Sequence, residues 1–198
     1  MKNKLLLVFI LFGVYYSNAQ TFYDLNIQTI EITFAESNWD ALLDTAEATD
    51  AYIAAQSISI NGVTYNNVGV KYKGNSSYNP NQVKNPFHIE LNTYVDQNYQ
   101  GYTDIKLSNV IFDPTFIREA LGYKILGNYM DVPKANYAKL YVNGTYIGLY
   151  TNVESISKSF VDDKFGSKTN AFFDCSPPAG AGPTTTNLPN LAYLGTSS

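Results

Sequence analysis

Apolar and polar residues alternate over QTIEITF (28–34), the period of a strand with one buried face. The period then changes. In ESNWDALLDTAEA (36–48), Trp39, Leu42, Leu43 and Ala46 fall on one helical stripe, and Ser37 stands where an N-cap belongs. AAQSISI and VTYNNVGVKYK flank Asn61-Gly62, and ANYAKLYV and TYIGLYTNVE flank Asn143-Gly144. Asn-Gly between two such runs predicts a two-residue hairpin, because both turn positions need positive φ. Between the hairpins, DPTFIREALGYKILGNYM predicts a helix over 113–130, with Asp113 as cap and Pro114 at the first helical position. ISKSFVDDKF (156–165) predicts one more short helix. Strands, helix, hairpin and helix in this order predict an α+β fold.

VGVKYKGNSSYNPNQVKNPFHIEL (68–91) reads as a strand, a polar loop and a second strand. Val68, Val70 and Tyr72 share one face, with Lys71 and Lys73 opposite; Phe87, Ile89 and Leu91 share one face, with Lys84, His88 and Glu90 opposite. The loop mouth gathers Lys71, Lys73 and Lys84 near Gly74-Asn75-Ser76-Ser77. Backbone N–H groups of a small-residue turn beside lysines suit a phosphate. The segment has neither GxGxxG nor GxxxxGK[ST], so solvated lysines around an ordinary polar loop are the other reading. On the 113–130 helix, Phe116, Glu119, Tyr123, Leu126 and Met130 form one stripe, and Ile117, Leu121 and Ile125 an adjacent one. Glu119 thus interrupts an apolar face. A carboxylate buried there needs a partner, such as a lysine from the neighbouring sheet. A stripe-edge position that reaches water would need none.

Composition narrows the function classes. Hydrophobic residues make up 45% of 198, enough for a core, and 17 Tyr with 11 Phe favour strands. The formal charge is −4 with no dense basic run, which argues against nucleic acid as a partner. Cys175 is the single cysteine and His88 the single histidine. That excludes an internal disulfide and a cysteine- or histidine-rich zinc site, and His88 has no serine–aspartate constellation in view. Lys2 and Lys4, the apolar LLLVFILFGVYY and Ser17-Asn18-Ala19 have the pattern of a cleaved signal peptide over 1–19, too short to span a bilayer. The expected location is therefore secreted or cell-surface, with no transmembrane segment after signal removal. Asn75-Ser76-Ser77 and Asn143-Gly144-Thr145 match the glycosylation pattern. Tyr137, Tyr141, Tyr146 and Tyr150 lie at alternating positions of the second hairpin, as a stacking surface for a ligand or as cross-strand packing.

The order of these parts, a small-residue loop, a lysine, a helix glutamate and two further strands, is also that of a protein-kinase N-terminal lobe. VGVKYKGNSSY with KNPFHIEL, LSNVIFDPTFIREAL and YAKLYVNGTYIGLYTNVESISKSF closely resemble the spore-coat protein H (CotH) kinase family, over roughly residues 25 to 175. The resemblance implies an atypical kinase-like N-terminal lobe, an antiparallel sheet with hairpins plus the 113–130 helix. It implies transfer of phosphate from ATP, with Mg2+ or Mn2+, to serine or threonine of exported or surface proteins. Carried over by position, Gly74, Asn75, Ser76 and Ser77 would cover phosphates and Lys84 would contact them. Glu119 would orient Lys84, and Arg118 stands beside it with its role open. Glu154 would lie near the adenine, where two lobes join. Asn109 and Asp113 match as turn and cap. The family's metal-binding and catalytic aspartates belong to a C-terminal lobe, and Asp162, Asp163 and Asp174 sit in no matching motif. The expected domains are a signal peptide over 1–19, the N-terminal part of the kinase-like domain over 20–175 and a loop-rich, incomplete segment over 176–198. On this reading the chain is a fragment. A pseudokinase or a non-catalytic surface binding module is the alternative.

Overall fold

Among the described residues, seven strands pair into one sheet that closes on itself. They are β1 (Ile27–Thr33), β2 (Ile53–Ile60), β3 (Val63–Tyr72), β4 (Phe87–Glu90), β5 (Asp104–Ser108), β6 (Ala135–Val142) and β7 (Thr145–Val153). Their order around the barrel is β1-β2-β3-β4-β5-β7-β6. The structure is a computed structural model that describes residues 21–74 and 76–169. Every neighbouring pair is antiparallel except β1 with β6, which run parallel from Ile27↔Tyr137 to Ile32↔Val142 and close the ring.

Alternation decides what lies inside. Ile30, Ile32, Ile58, Ile60, Val68, Val70, Tyr72, Phe87, Ile89, Ile105, Leu107, Leu140 and Tyr150 are buried and fill the barrel. Helix α1 (Trp39–Glu47) buries Trp39, Leu43 and Ala46 at the mouth where β3 ends. Trp39 stacks on Phe34 there, with ring centroids 5.9 Å apart, and meets Phe87. Phe22, Tyr23, Tyr99 and Tyr102 pack edge-on and tilted at the other mouth.

Both Asn-Gly pairs turn as the sequence predicts, with Asn61 and Gly62 at φ 51° and 85° and Asn143 and Gly144 at 47° and 78°. Each asparagine also reaches back to β1. Asn61 Oδ1 accepts the Thr29 N–H at 2.9 Å, and Asn143 Oδ1 accepts the Phe34 N–H at 2.8 Å. The hairpins thus hold the first strand from both sides.

Several expectations need correction. The fold is a closed barrel with short helices, not an α+β kinase-like N-terminal lobe of an antiparallel sheet with hairpins plus a 113–130 helix. The predicted 113–130 helix shrinks to α2 (Arg118–Leu126). Phe116 takes φ 60°, a left-handed conformation that breaks the helix before it can start at Asp113. Both predicted apolar stripes remain outside the core: Ile117, Leu121, Ile125 and Met130 are all exposed, and α2 buries no residue. The α1 cap position is Asn38, not Ser37, and no side chain bonds there. The tyrosine series of the second hairpin splits: Tyr141 and Tyr146 pair on the outside at 5.2 Å, whereas Tyr150 is fully buried.

The described chain divides between Ile156 and Ser157 into two compact units. The second holds α3 (Lys158–Phe165), ended by Gly166 at φ 71°. On it Asp162 pairs with Lys168 at 3.6 Å and Asp163 with Lys164 at 3.0 Å. The predicted signal peptide, Cys175, Asp174 and the 176–198 segment lie outside the described residues.

Candidate functional site

The loop between β3 and β4 is tied down by asparagines. Asn85 is fully buried. Its Oδ1 accepts the Asn79 N–H, and its Nδ2 donates to the Asn79 and Gln82 carbonyls. Asn109, just past β5, donates from Nδ2 to the Ser77 carbonyl at 2.9 Å and the Lys84 carbonyl at 3.1 Å. Sequence reading assigned Asn109 only to a turn. Its structural role is to fix the loop to the barrel. Gly74 takes φ 97°, and a Cβ there would lie 2.4 Å from Ser77 Oγ, so the chain needs glycine at that turn. Asn75 falls outside the described residues.

Where this loop meets β5 and α2 there is a pocket of about 350 Å³. The loop supplies Lys73, Ser77 and Pro86, the end of β5 and the following turn supply Ser108 to Asp113, and α2 supplies Arg118 and Glu119. Three of the predicted site residues converge here: Ser77, Arg118 and Glu119. Asp113 organises the α2 start. It accepts the Thr115 hydroxyl and N–H and, at 2.8 Å, the Arg118 N–H. These bonds hold the Asp113 carboxyl below the usual carboxylate range, the Thr115 hydroxyl foremost. Arg118 Nε lies 3.7 Å from Asp113 Oδ1.

Glu119 is the unusual group. Its Oε1 faces Ser108 Oγ at 3.5 Å. Burial pushes its carboxyl above the ordinary range, and the nearby Lys73 charge and the Ser108 hydroxyl offset part of that rise. Lys73 shows the mirror image: burial pushes its ammonium below the ordinary lysine range, Glu119 opposes this, and Lys106 adds to it. Lys73 and Glu119 are within electrostatic reach, but no ion pair of 4 Å or less joins them among the described residues.

Lys84 does not meet Glu119. Tyr150 and Gly148 pair with the buried Ala138 and Leu140, so both point into the barrel. Lys84 lies against that inner side. Its Cε would be 2.9 Å from a Cβ built at Gly148, and its ammonium is 4.8 Å from the Phe116 ring centre and 5.4 Å from that of Tyr150. Desolvation lowers its pKa, with no carboxylate to offset it. The strand starts at Phe87, so Lys84 belongs to the loop, and the alternation argument that put it opposite Phe87 does not reach it.

The remaining predicted residues lie elsewhere. Lys71 pairs with Asp50 at 2.6 Å and stacks over Tyr52. His88 sits between Asp104, at 2.8 Å, and the Tyr52 hydroxyl. Glu154 is buried at the opposite mouth, where β6 begins and β7 ends; its Oε2 accepts the Lys134 N–H at 3.0 Å. No helix among the described residues is long and apolar enough to cross a membrane.

Residues 70–192 match the family model described as CotH kinase protein. A search of the curated proteins gives no match.

Proposed function

The chain belongs to the CotH kinase protein family, and from that premise we propose that it serves an exported protein kinase that moves the γ-phosphoryl group of ATP to a serine or threonine hydroxyl of a secreted or surface protein. One observation carries the reading. Ser77 of the small-residue loop and, some forty residues on, Arg118 and Glu119 line one pocket with a half-buried lysine. Its volume is within the range of small-molecule sites, roughly 300–1,000 Å³. Phosphoryl transfer depends chiefly on positioning and on fixed positive charge around the phosphates. Lys73, Arg118 and the N–H groups of a loop held by Asn85 and Asn109 have that character.

A divalent ion would neutralise phosphate charge during transfer. Among the described residues, no group of three or more His, Cys, Asp and Glu side chains is placed to hold one. The signal-peptide pattern over 1–19 supports export.

The test is transfer of labelled γ-phosphate from ATP to a panel of exported proteins, in Mg2+ and in Mn2+. Incorporation into serine or threonine is the expected result. Nucleotide-independent capture of a surface ligand, with no incorporation and no ATP binding, would instead support a binding module.

A further inference from the structure

We propose that Lys73 is the side chain that contacts the nucleotide phosphates, with Glu119 as its positioning residue and Lys84 as a latch for the loop. This rests on the reading that the pocket takes ATP.

The sheet geometry separates the two lysines. Leu107 points inward, so Ser108, the next residue of β5, points outward to the side that Glu119 faces, and Lys73, one residue past β3, lines the same pocket. Lys84 lies on the inward side, over Gly148 and Tyr150. No ion pair joins Lys84 to Glu119 among the described residues, and Lys84 does not line the pocket. Lys84 has other contacts: its carbonyl is held by Asn109, its stem lies on Gly148, and its ammonium faces two aromatic rings. Its contacts fix the end of the loop on the barrel mouth.

Lys73 is not engaged in this way. Its backbone N–H donates to the Pro86 carbonyl, but its ammonium has no hydrogen-bond partner among the described residues. A half-buried ammonium without a partner is costly, and an anion in the pocket would relieve that cost. The surrounding charges agree. Lys73 senses Glu119 on one side and Lys106 on the other, while Arg118 already has Asp113. Lys73 and Arg118 thus face Asp113 and Glu119 around the pocket, and of the two cations only Arg118 has a carboxylate within ion-pair distance. Glu119, set back against Ser108, orients the ammonium without neutralising it in contact.

Lysine labelling of the full chain by an amine-acylating reagent, read by mass spectrometry, tests this with ATP and with inorganic tripolyphosphate as probes. Both should protect Lys73 and leave Lys84 unchanged. Lys73→Met should weaken ATP binding about tenfold or more, the scale of one lost charge-assisted contact. Lys84→Met should weaken it far less. Glu119→Gln should move the pH midpoint of Lys73 labelling downward, because it removes the charge that raises it, and Glu119→Asp should restore most of the shift. Protection of Lys84 or Lys106 with Lys73 still reactive, in a chain that binds ATP, overturns this inference and leaves the kinase reading standing. A chain that binds neither probe overturns both. If Lys73→Met fails to fold, protection in the native chain still decides.

Discussion

At the scale of single residues, the pocket holds two charges that the fold disfavours. Lys73 titrates below the usual lysine range and Glu119 above the usual carboxylate range, burial being the main cause for each. The signs follow. A lysine with a depressed folded pKa costs stability at every pH below that pKa, and the cost fades as pH rises toward the unfolded value, about 10.4. A carboxylate with a raised folded pKa costs stability above that pKa, and the cost fades as pH falls toward its unfolded value. Lys73→Met should therefore leave the melting temperature at neutral pH unchanged or raised, and should flatten the alkaline part of the stability curve. Thermal melts across pH measure both. A variant that melts well below the native chain at neutral pH would show Lys73 to be a structural cation. The expected pattern is that of a functional site, where stability and activity oppose each other.

At the scale of elements, the Asn-Gly hairpins carry more than their turns. Asn143 supplies positive φ to its hairpin and an acceptor to the first residue beyond β1, Phe34. Asn143→Ala removes both and should cost about 1–2 kcal/mol in urea unfolding. Asn143→Gly keeps the turn and loses the bond, so its cost should be smaller, about 1 kcal/mol. Equal losses would mean that the tie to β1 contributes nothing. These turns were legible in the sequence because two residues decide them. The inward face of β4 was legible for the same reason: Phe87, Ile89 and Leu91 alternate and are all fully buried. The long helix was not. Its apolar spacing is real, but Phe116 leaves the helical region and the apolar residues face outward, which no periodicity reveals. Lys84 was misplaced by the same limit. Its side of the sheet depends on a loop path set by Asn85 and Asn109, not on strand alternation.

At the scale of the molecule, the parallel β1–β6 pairing makes a barrel of what the hairpins alone would leave as an open sheet. The partners are about a hundred residues apart, and no local pattern announces such a contact. Closure has a functional consequence. It gives the wall two distinct sides near the loop, an inner one that takes Lys84 and an outer one that takes Lys73 and Glu119. The family match begins at Val70 and so takes in the loop, the pocket and the second hairpin, while β1, β2 and α1 precede it. Those earlier elements complete the barrel against which the matched segment is held. Glu154 lies at the far mouth and bonds the Lys134 backbone. It closes the barrel there. The central claim is thus about sidedness. A crystal of the full chain grown with a non-hydrolysable ATP analogue tests it most directly. The account predicts triphosphate oxygens within hydrogen-bond distance of Lys73 Nζ, on the outer side, with Lys84 still over Gly148. A triphosphate bound by Lys84, with Lys73 turned away from it, would contradict the account.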